Sequence, residues 1–205
     1  MSNDLFAGIA LNSGSVGSGY NFGEHEDVGL VRGQTATIGY WQNNNGQALI
    51  RSLNGGANST ALSNWLATNF SNMYGAAAGA NNLIGKTNSQ VADFYVTLFK
   101  RKGQKLDAQV LATALAVYVT DLDLAGNNAQ AFGFTVTSRG TGAATYNVQG
   151  NGLAFGVANN TRLTIMQILR AANSVAIGGN LYGGNSSLRN LANNVFDGIN
   201  TSGDI

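Results

Sequence analysis

The residues able to do chemistry in this chain are few, and each group of them lacks a partner. His25, the only histidine, sits in Glu24-His25-Glu26-Asp27 beside three acids. An acid–base or metal role for it would need a pocket and further ligands from elsewhere in the chain, and a lone histidine in a charged linker is ordinarily solvated. With no second histidine, the scattered serines have no base available for a nucleophilic triad. Asp121-Leu-Asp123-Leu-Ala125-Gly126 matches positions 1, 3 and 6 of a calcium loop. Position 5 is Ala125 and position 12 is Phe132, where a bidentate glutamate belongs, so calcium would bind weakly at best. The same Asp121 and Asp123 are the pair a polysaccharide-active enzyme would use, yet at i, i+2 on a helix they would point apart. Ala80-Asn-Asn-Leu-Ile-Gly85-Lys86-Thr87 fits a permissive phosphate-loop pattern. That chemistry requires a buried strand leading in, which Gly75-Ala-Ala-Ala-Gly-Ala does not supply, and Thr87 reads more simply as a helix N-cap. Tyr40-Trp41-Gln42-Asn43-Asn44-Asn45 joins two aromatics to four amides. Such a run could stack a sugar face and bond its hydroxyls, unless Trp41 is a core anchor. Tyr182, among glycines, is a weaker candidate of the same kind.

Composition bounds these readings. Only 10% of the 205 residues are charged, the net charge is +1, and there are 28 Gly, 27 Asn, no Cys and no Pro. No basic cluster exceeds Lys100-Arg101-Lys102, which argues against nucleic acid as a partner. No apolar run approaches the roughly 18–20 residues that span a bilayer, so no membrane insertion is expected. The stretch from Met1 to Leu11 lacks a basic leader and makes a poor signal peptide. The chain is therefore either cytosolic or a mature part of an exported protein. The absence of Cys does not decide between them. Loops built from Gly, Asn, Ser and Thr in place of Pro, with only four Lys, give a surface of neutral amides and hydroxyls. That favours an extracellular or cell-surface location. Five Asn-x-Ser/Thr sequons (Asn58, Asn69, Asn159, Asn185, Asn200) are as many as abundant Asn produces by chance.

The elements that must position these residues divide at residue 36. Residues 1–36 read as a β arm, with apolar Leu5, Phe6, Ile9 and Leu11, a turn-rich loop, and Tyr20 and Phe22 restarting an extended segment. Residues 37–205 read as a mainly helical module. Leu49, Ile50 and Leu53 open a short helix, and Leu62, Trp65, Leu66, Phe70 and Met73 make a second. Val91, Phe94, Tyr95, Leu98 and Phe99 form one apolar stripe, started by the capping box Thr87-Asn-Ser-Gln90 and stopped by Gly103. Residues 106–119, apolar on nearly every side, predict the central buried helix. A hairpin is expected from Phe132–Thr137 and Ala144–Val148 around Arg139-Gly-Thr-Gly. Leu163 to Ala172 and Leu188 to Ile199 supply two more helices. The fold class is mainly α: about six helices with an N-terminal β arm and an inserted β hairpin.

Ile9-Ala-Leu-Asn-Ser-Gly-Ser-Val-Gly-Ser-Gly-Tyr-Asn-Phe-Gly-Glu24 resembles the last strands of an SdrD B-type (Cna-B-like) surface domain, where such a segment commonly ends in Asn-Phe-Gly-Glu, here Asn21 to Glu24. Thr37-Ile-Gly-Tyr-Trp-Gln-Asn43 resembles a Gly-Tyr/Phe-Trp-x-Asn module found near the ends of large bacterial cell-surface proteins. With Asn44–Ile50, Leu111–Val119 and Asn194–Asn200 the similarity covers most of residues 37–205. The resemblance implies an exported, multidomain, surface-associated parent without enzymatic activity, and it carries no residue roles. A complete B-type domain is far longer than 26 residues, so only its tail would be present here. Such an orphan arm, through Leu5, Phe6, Ile9, Leu11, Tyr20 and Phe22, could fold onto the helical body or add to a strand of a neighbour.

The expected function is thus that of a non-enzymatic extracellular surface module for adhesion or attachment, with a protein or glycan ligand at the cell surface contacted around Tyr40, Trp41, Gln42 and Asn43. The alternative is a structural subunit that self-associates through its N-terminal β arm, and a lesser one is a polysaccharide-active enzyme. No cofactor is expected beyond weak calcium at Asp121 and Asp123.

Overall fold

The computed structural model describes residues 28–205. The arm residues Leu5, Phe6, Ile9, Leu11, Tyr20 and Phe22, the His25 cluster and the B-type-like segment lie outside the described residues.

The described chain is mainly helical. Its α-helices are α1 (Ile38–Gln42), α2 (Asn44–Ser52), α3 (Ala61–Asn69), α4 (Ser71–Tyr74), α5 (Asn88–Lys100), α6 (Leu106–Thr120), α7 (Leu122–Ala125), α8 (Ile165–Ser174) and α9 (Ser186–Ser202). Short 3-10 turns join them, and a small antiparallel sheet pairs β1 (Thr145–Asn147) with β2 (Arg162–Thr164). No helix among the described residues is long and apolar enough to cross a membrane.

Helix α6 is the axis of the core. Apart from Asp107 every residue from Leu106 to Thr120 is buried, so its apolar character needs no favoured face, and α1, α5, α8 and α9 pack around it. The surrounding helices are one-sided. α5 buries Val91, Ala92, Tyr95 and Leu98; α8 buries Ile165, Ile168, Leu169 and Ala172; α9 buries Ala192, Val195, Phe196 and Ile199. Each fully buried aliphatic side chain stabilises the fold by roughly 1.5–3 kcal/mol. The capping box expected at Thr87 is present: the Gln90 N–H donates to Thr87 Oγ1 and the Thr87 N–H to Gln90 Oε1. α5 ends at Lys100, three residues before Gly103, because Arg101 already leaves helical geometry.

Between α6 and α9 lies a buried amide network. Asn200 Nδ2 donates to Gln109 O (3.0 Å) and Gln109 Oε1 (2.7 Å), and the Thr113 hydroxyl donates to Asn200 Oδ1 (2.9 Å). Gln109 Nε2 continues it to Asp197 Oδ1. In an apolar interface such a network fixes the register of two helices, since any slip leaves amides unpaired.

The hairpin exists with a different second strand from the one expected. β1 pairs Thr145 with Thr164, Tyr146 with Leu163 and Asn147 with Arg162. Leu163, expected in a helix, is therefore in β2, and α8 begins two residues later at a second capping box, Thr164 with Gln167. Residues 132–137 go elsewhere. Thr137 N–H donates to Thr120 O and accepts Leu122 N–H on its carbonyl, which ties this segment to the end of α6. The glycine-rich turn then enters the 3-10 segment Thr141–Ala143, because buried Thr141 bonds to Thr120 through both its N–H and its hydroxyl. The far face of β1 takes residues 28–30 in parallel: Thr145 N–H donates to Val28 O (2.9 Å) and Leu30 N–H to Thr145 O (3.2 Å).

Candidate functional site

Tyr40 to Gly46, the strongest recognition motif in the sequence, is a tight corner between α1 and α2. Asn43 makes it. Its N–H donates to Tyr40 O, closing α1, while its Oδ1 accepts from Asn45 N (2.8 Å) and Gly46 N (3.1 Å), opening α2. Gly46 lets the two helices meet: a Cβ there would lie 2.3 Å from Tyr40 O and 2.5 Å from Trp41 Cα. Gln47 Nε2 then donates to Trp41 O and Ala92 O, both at 3.0 Å, stitching α1 and α2 to α5. Arg51 Nη1 donates to Gln47 Oε1, and Arg51 Nη2 pairs with Asp93 at 2.7 Å.

Trp41 has no exposed surface. It packs against Tyr40 and Phe134 with ring centroids 5.4 and 5.5 Å away, and Tyr40 meets Phe134 edge-on at 5.6 Å. The expectation of a sugar stacked on Trp41 is corrected accordingly: a ring enclosed on both faces by its own fold presents neither to a ligand. Tyr40 is half-buried, its hydroxyl is enclosed without a hydrogen-bond partner, and burial pushes that hydroxyl's pKa up to about 12. What the corner offers to solvent is amide: Asn43, Asn44 and Asn45 are exposed and Gln42 is partly so. Tyr182, the weaker aromatic candidate, is also buried, with a positive φ of 57° and an unpartnered hydroxyl.

The acids have structural partners. Asp121 is the N-cap of α7, its Oδ1 accepting from Asp123 N (2.9 Å) and Leu124 N (3.2 Å), while Asp123 is exposed. The calcium-loop spacing thus places one carboxylate on helix N–H donors. Asp93 pairs with Arg51, Asp107 with Arg101 (3.3 Å) and Arg189 (3.6 Å), Asp197 with Gln109, and Asp204 Oδ1 accepts from Thr37 N–H. Among the described residues no group of three or more His, Cys, Asp or Glu is placed to hold a metal ion. The phosphate-loop pattern fails on geometry, since a 3-10 turn (Ala76–Asn81) leads in and Thr87 is the cap of α5.

Sequence reasoning missed a seam. Residues 28–37 run along the fold and close on its other end. Gly33 N–H and Thr35 N–H both donate to Gly203 O (3.0 and 2.8 Å), and Thr35 pairs with Asp204 in a parallel bridge. The buried Thr35 hydroxyl reaches Ile199 O (3.0 Å) and Asn200 O (3.2 Å), carbonyls in the last turn of α9. Gly33 O accepts from Thr135 N–H at 2.7 Å, and the Thr141 hydroxyl donates to Gln34 O. No periodicity marks these residues, and only their Gly and Thr content hints at close backbone approach. A cleft of about 170 Å³ opens beside the seam, bounded by Val28, Gln34, Thr137, Arg139 and Ala144. It is smaller than the ~300–1,000 Å³ of ordinary ligand pockets.

Comparison with known proteins found no matching family model, no matching curated protein and no matching solved structure.

Proposed function

We propose that the chain is a non-enzymatic extracellular surface module for attachment, with a protein or glycan ligand at the cell surface. The observation that supports this best is the use of its acids. Asp93, Asp107, Asp121, Asp197 and Asp204 are each engaged in capping or cross-linking the fold, and a catalytic carboxylate must instead face a substrate. The resemblance that the sequence motifs of residues 37–205 suggest to modules of bacterial surface proteins is a second support for this reading. Contact would be made by the exposed amides of Asn44 and Asn45, flanked by the capping Asn43 and the partly exposed Gln42, in place of aromatic stacking. Binding of the full chain to arrayed glycans and cell-surface proteins tests this. The expected result is retention of one ligand class, weakened by the double substitution Asn44→Ala, Asn45→Ala. Turnover of a polysaccharide that Asp123→Asn abolishes would overturn it in favour of the enzyme.

A second reading, self-assembly through the arm, is favoured by one feature. Residues 28–30 form the outer strand on β1 among the described residues, and in a parallel ladder Gly29 turns its own N–H and C=O outward. Truncation after Asp27 should then reduce an assembled species to monomer in light scattering. A full-length chain that is already monomeric would remove this reading.

A further inference from the structure

The geometry points to a second property of this module, which rests on the attachment reading: the seam between residues 28–37 and 199–204 is a shear clamp that lets the domain carry tension. An attachment module is pulled, and its direction of loading decides which bonds resist. Segment 28–37 pairs in parallel at both of its bridges, Gly29 with Thr145 and Thr35 with Asp204. When residue 28 is drawn back and residue 205 forward, parallel segments must slide past one another. Their cross-bonds are then strained together, whereas an antiparallel pair loaded at one end opens bond by bond.

The clamp has several such bonds in a short space. Gly33 N–H and Thr35 N–H to Gly203 O, Thr37 N–H to Asp204 Oδ1 (3.1 Å), and the Thr35 hydroxyl to Ile199 O and Asn200 O all cross the same line. Upstream, Val28 O and Leu30 N–H are held by Thr145, and Gly33 O by Thr135, so the segment is fastened along its length. Thr35 and Ala36 have no exposed surface, so water does not compete for the central bonds. Gly203 sets the spacing: a Cβ there would stand 2.5 Å from Thr35 Oγ1 and 3.1 Å from Leu30 Cγ. Its φ is −99°, which any residue adopts, so the glycine is required by close approach alone. Helices loaded from an end peel turn by turn, and in a helical domain a clamp of this kind is the element that would set the rupture force.

Single-molecule pulling of the full chain tests this. One geometry applies force between handles fused at Met1 and Ile205. A second uses Leu153→Cys and Ile177→Cys, both highly exposed and unique because the chain has no Cys, and its force path does not require the seam to slide. End-to-end pulling is expected to need about twofold or more the force of the internal geometry at equal loading rate. Thr35→Val, which keeps the shape and removes both hydroxyl bonds, and Gly203→Ala should lower the end-to-end force and leave the internal one nearly unchanged. If Gly203→Ala does not fold, Thr35→Val alone carries the comparison. End-to-end rupture at or below the internal force, or an unchanged end-to-end force in Thr35→Val, overturns the clamp. The two ideas fail separately: a ligand-binding but mechanically weak chain removes the clamp, and a strong chain whose polysaccharide turnover is established removes the attachment reading.

Discussion

The corner at residues 37–47 and the seam joining residues 28–37 to 199–204 share neutral residue types, Asn, Gln, Gly and Thr, joined in the seam by Asp204, but they use them in opposite ways. The corner is local: Asn43 bonds two and three residues ahead, and Gly46 meets Tyr40 and Trp41. The seam is remote, with Thr35 reaching 164 residues along the chain to Ile199. The corner looked like a recognition motif and directs its aromatic ring inward, while the seam carried no motif and closes the fold. Asparagine explains much of this. Asn88 donates to Leu53 O and Gly56 O, Asn173 Oδ1 accepts from Asn72 N and Met73 N, Asn54 donates to Leu124 O, and Asn128 to Ser52 O. In a chain without proline and rich in short 3-10 turns, primary amides satisfy main-chain groups that regular structure leaves open. Abundant Asn is here first an architectural material.

On that contrast the corner is the less forgiving of the two. Gly46→Ala places a Cβ against main-chain atoms of Tyr40 and Trp41, with no flexible side chain to yield. It should cost about 3 kcal/mol or more and lower Tm by about 10 °C, read by calorimetry. Gly203→Ala meets the Thr35 hydroxyl and the Leu30 side chain, so side-chain atoms rather than main chain must shift. Its expected cost is about 1–3 kcal/mol in urea unfolding. Equal costs at the two sites would mean that the corner relaxes and is not the rigid element described.

What the sequence allowed one to read follows the same division. Helix α6, the stripe of α5 and the Thr87–Gln90 box were legible because each is a short-range pattern. The Thr164–Gln167 box is equally local, but the apolar pattern that begins at Leu163 predicts a helix start ahead of it. The sequence pattern misplaces the strand partner of β1, because two short apolar runs flanking glycines predict a hairpin only when nothing else competes. Here Thr120 and Thr141 compete for that segment with buried hydroxyls. Trp41 could not be assigned to core or surface by type, since one aromatic serves both, and Phe134, its partner, is more than ninety positions away in sequence. The seam leaves no periodic trace, because parallel pairing of Gly and Thr has no period.

A smaller perturbation separates the roles of the corner's amides. Asn43→Ala removes an acceptor for two N–H groups and should cost about 1 kcal/mol, whereas Asn44→Ala, exposed in the first turn of α2, should be within about 0.5 kcal/mol of zero. Similar losses at both positions in urea unfolding would assign Asn44 a structural bond as well.

The smallest expected effect appears only in alkali, and at Tyr40 it addresses the corner. Burial raises the Tyr40 hydroxyl from 10.0 to about 12, and Tyr118 likewise, its hydrogen bond with Asn54 working the other way. Below pH 10 both folded and unfolded chains keep these protons and the full stability is present. Above pH 10 the unfolded chain releases protons that the folded chain retains, so stability falls as pH rises toward 12. Tyr40→Phe should make that decline shallower, with no loss at pH 7, because its enclosed hydroxyl has no partner to abandon. Tyr118→Phe should also flatten the decline but lose stability at pH 7, since Asn54 Oδ1 gives up a 2.8 Å donor. The bonds joining residues 28–37 to 199–204 use no tyrosine, and since burial also raises Tyr74, Tyr95, Tyr146 and Tyr182, it is the difference between the Tyr40→Phe chain and the parent that reports on the corner. A Tyr40→Phe chain whose urea midpoint falls between pH 10 and 12 as steeply as the parent's would show that the Tyr40 hydroxyl is hydrated in the folded state, and the corner would then open to solvent where the packing closes it.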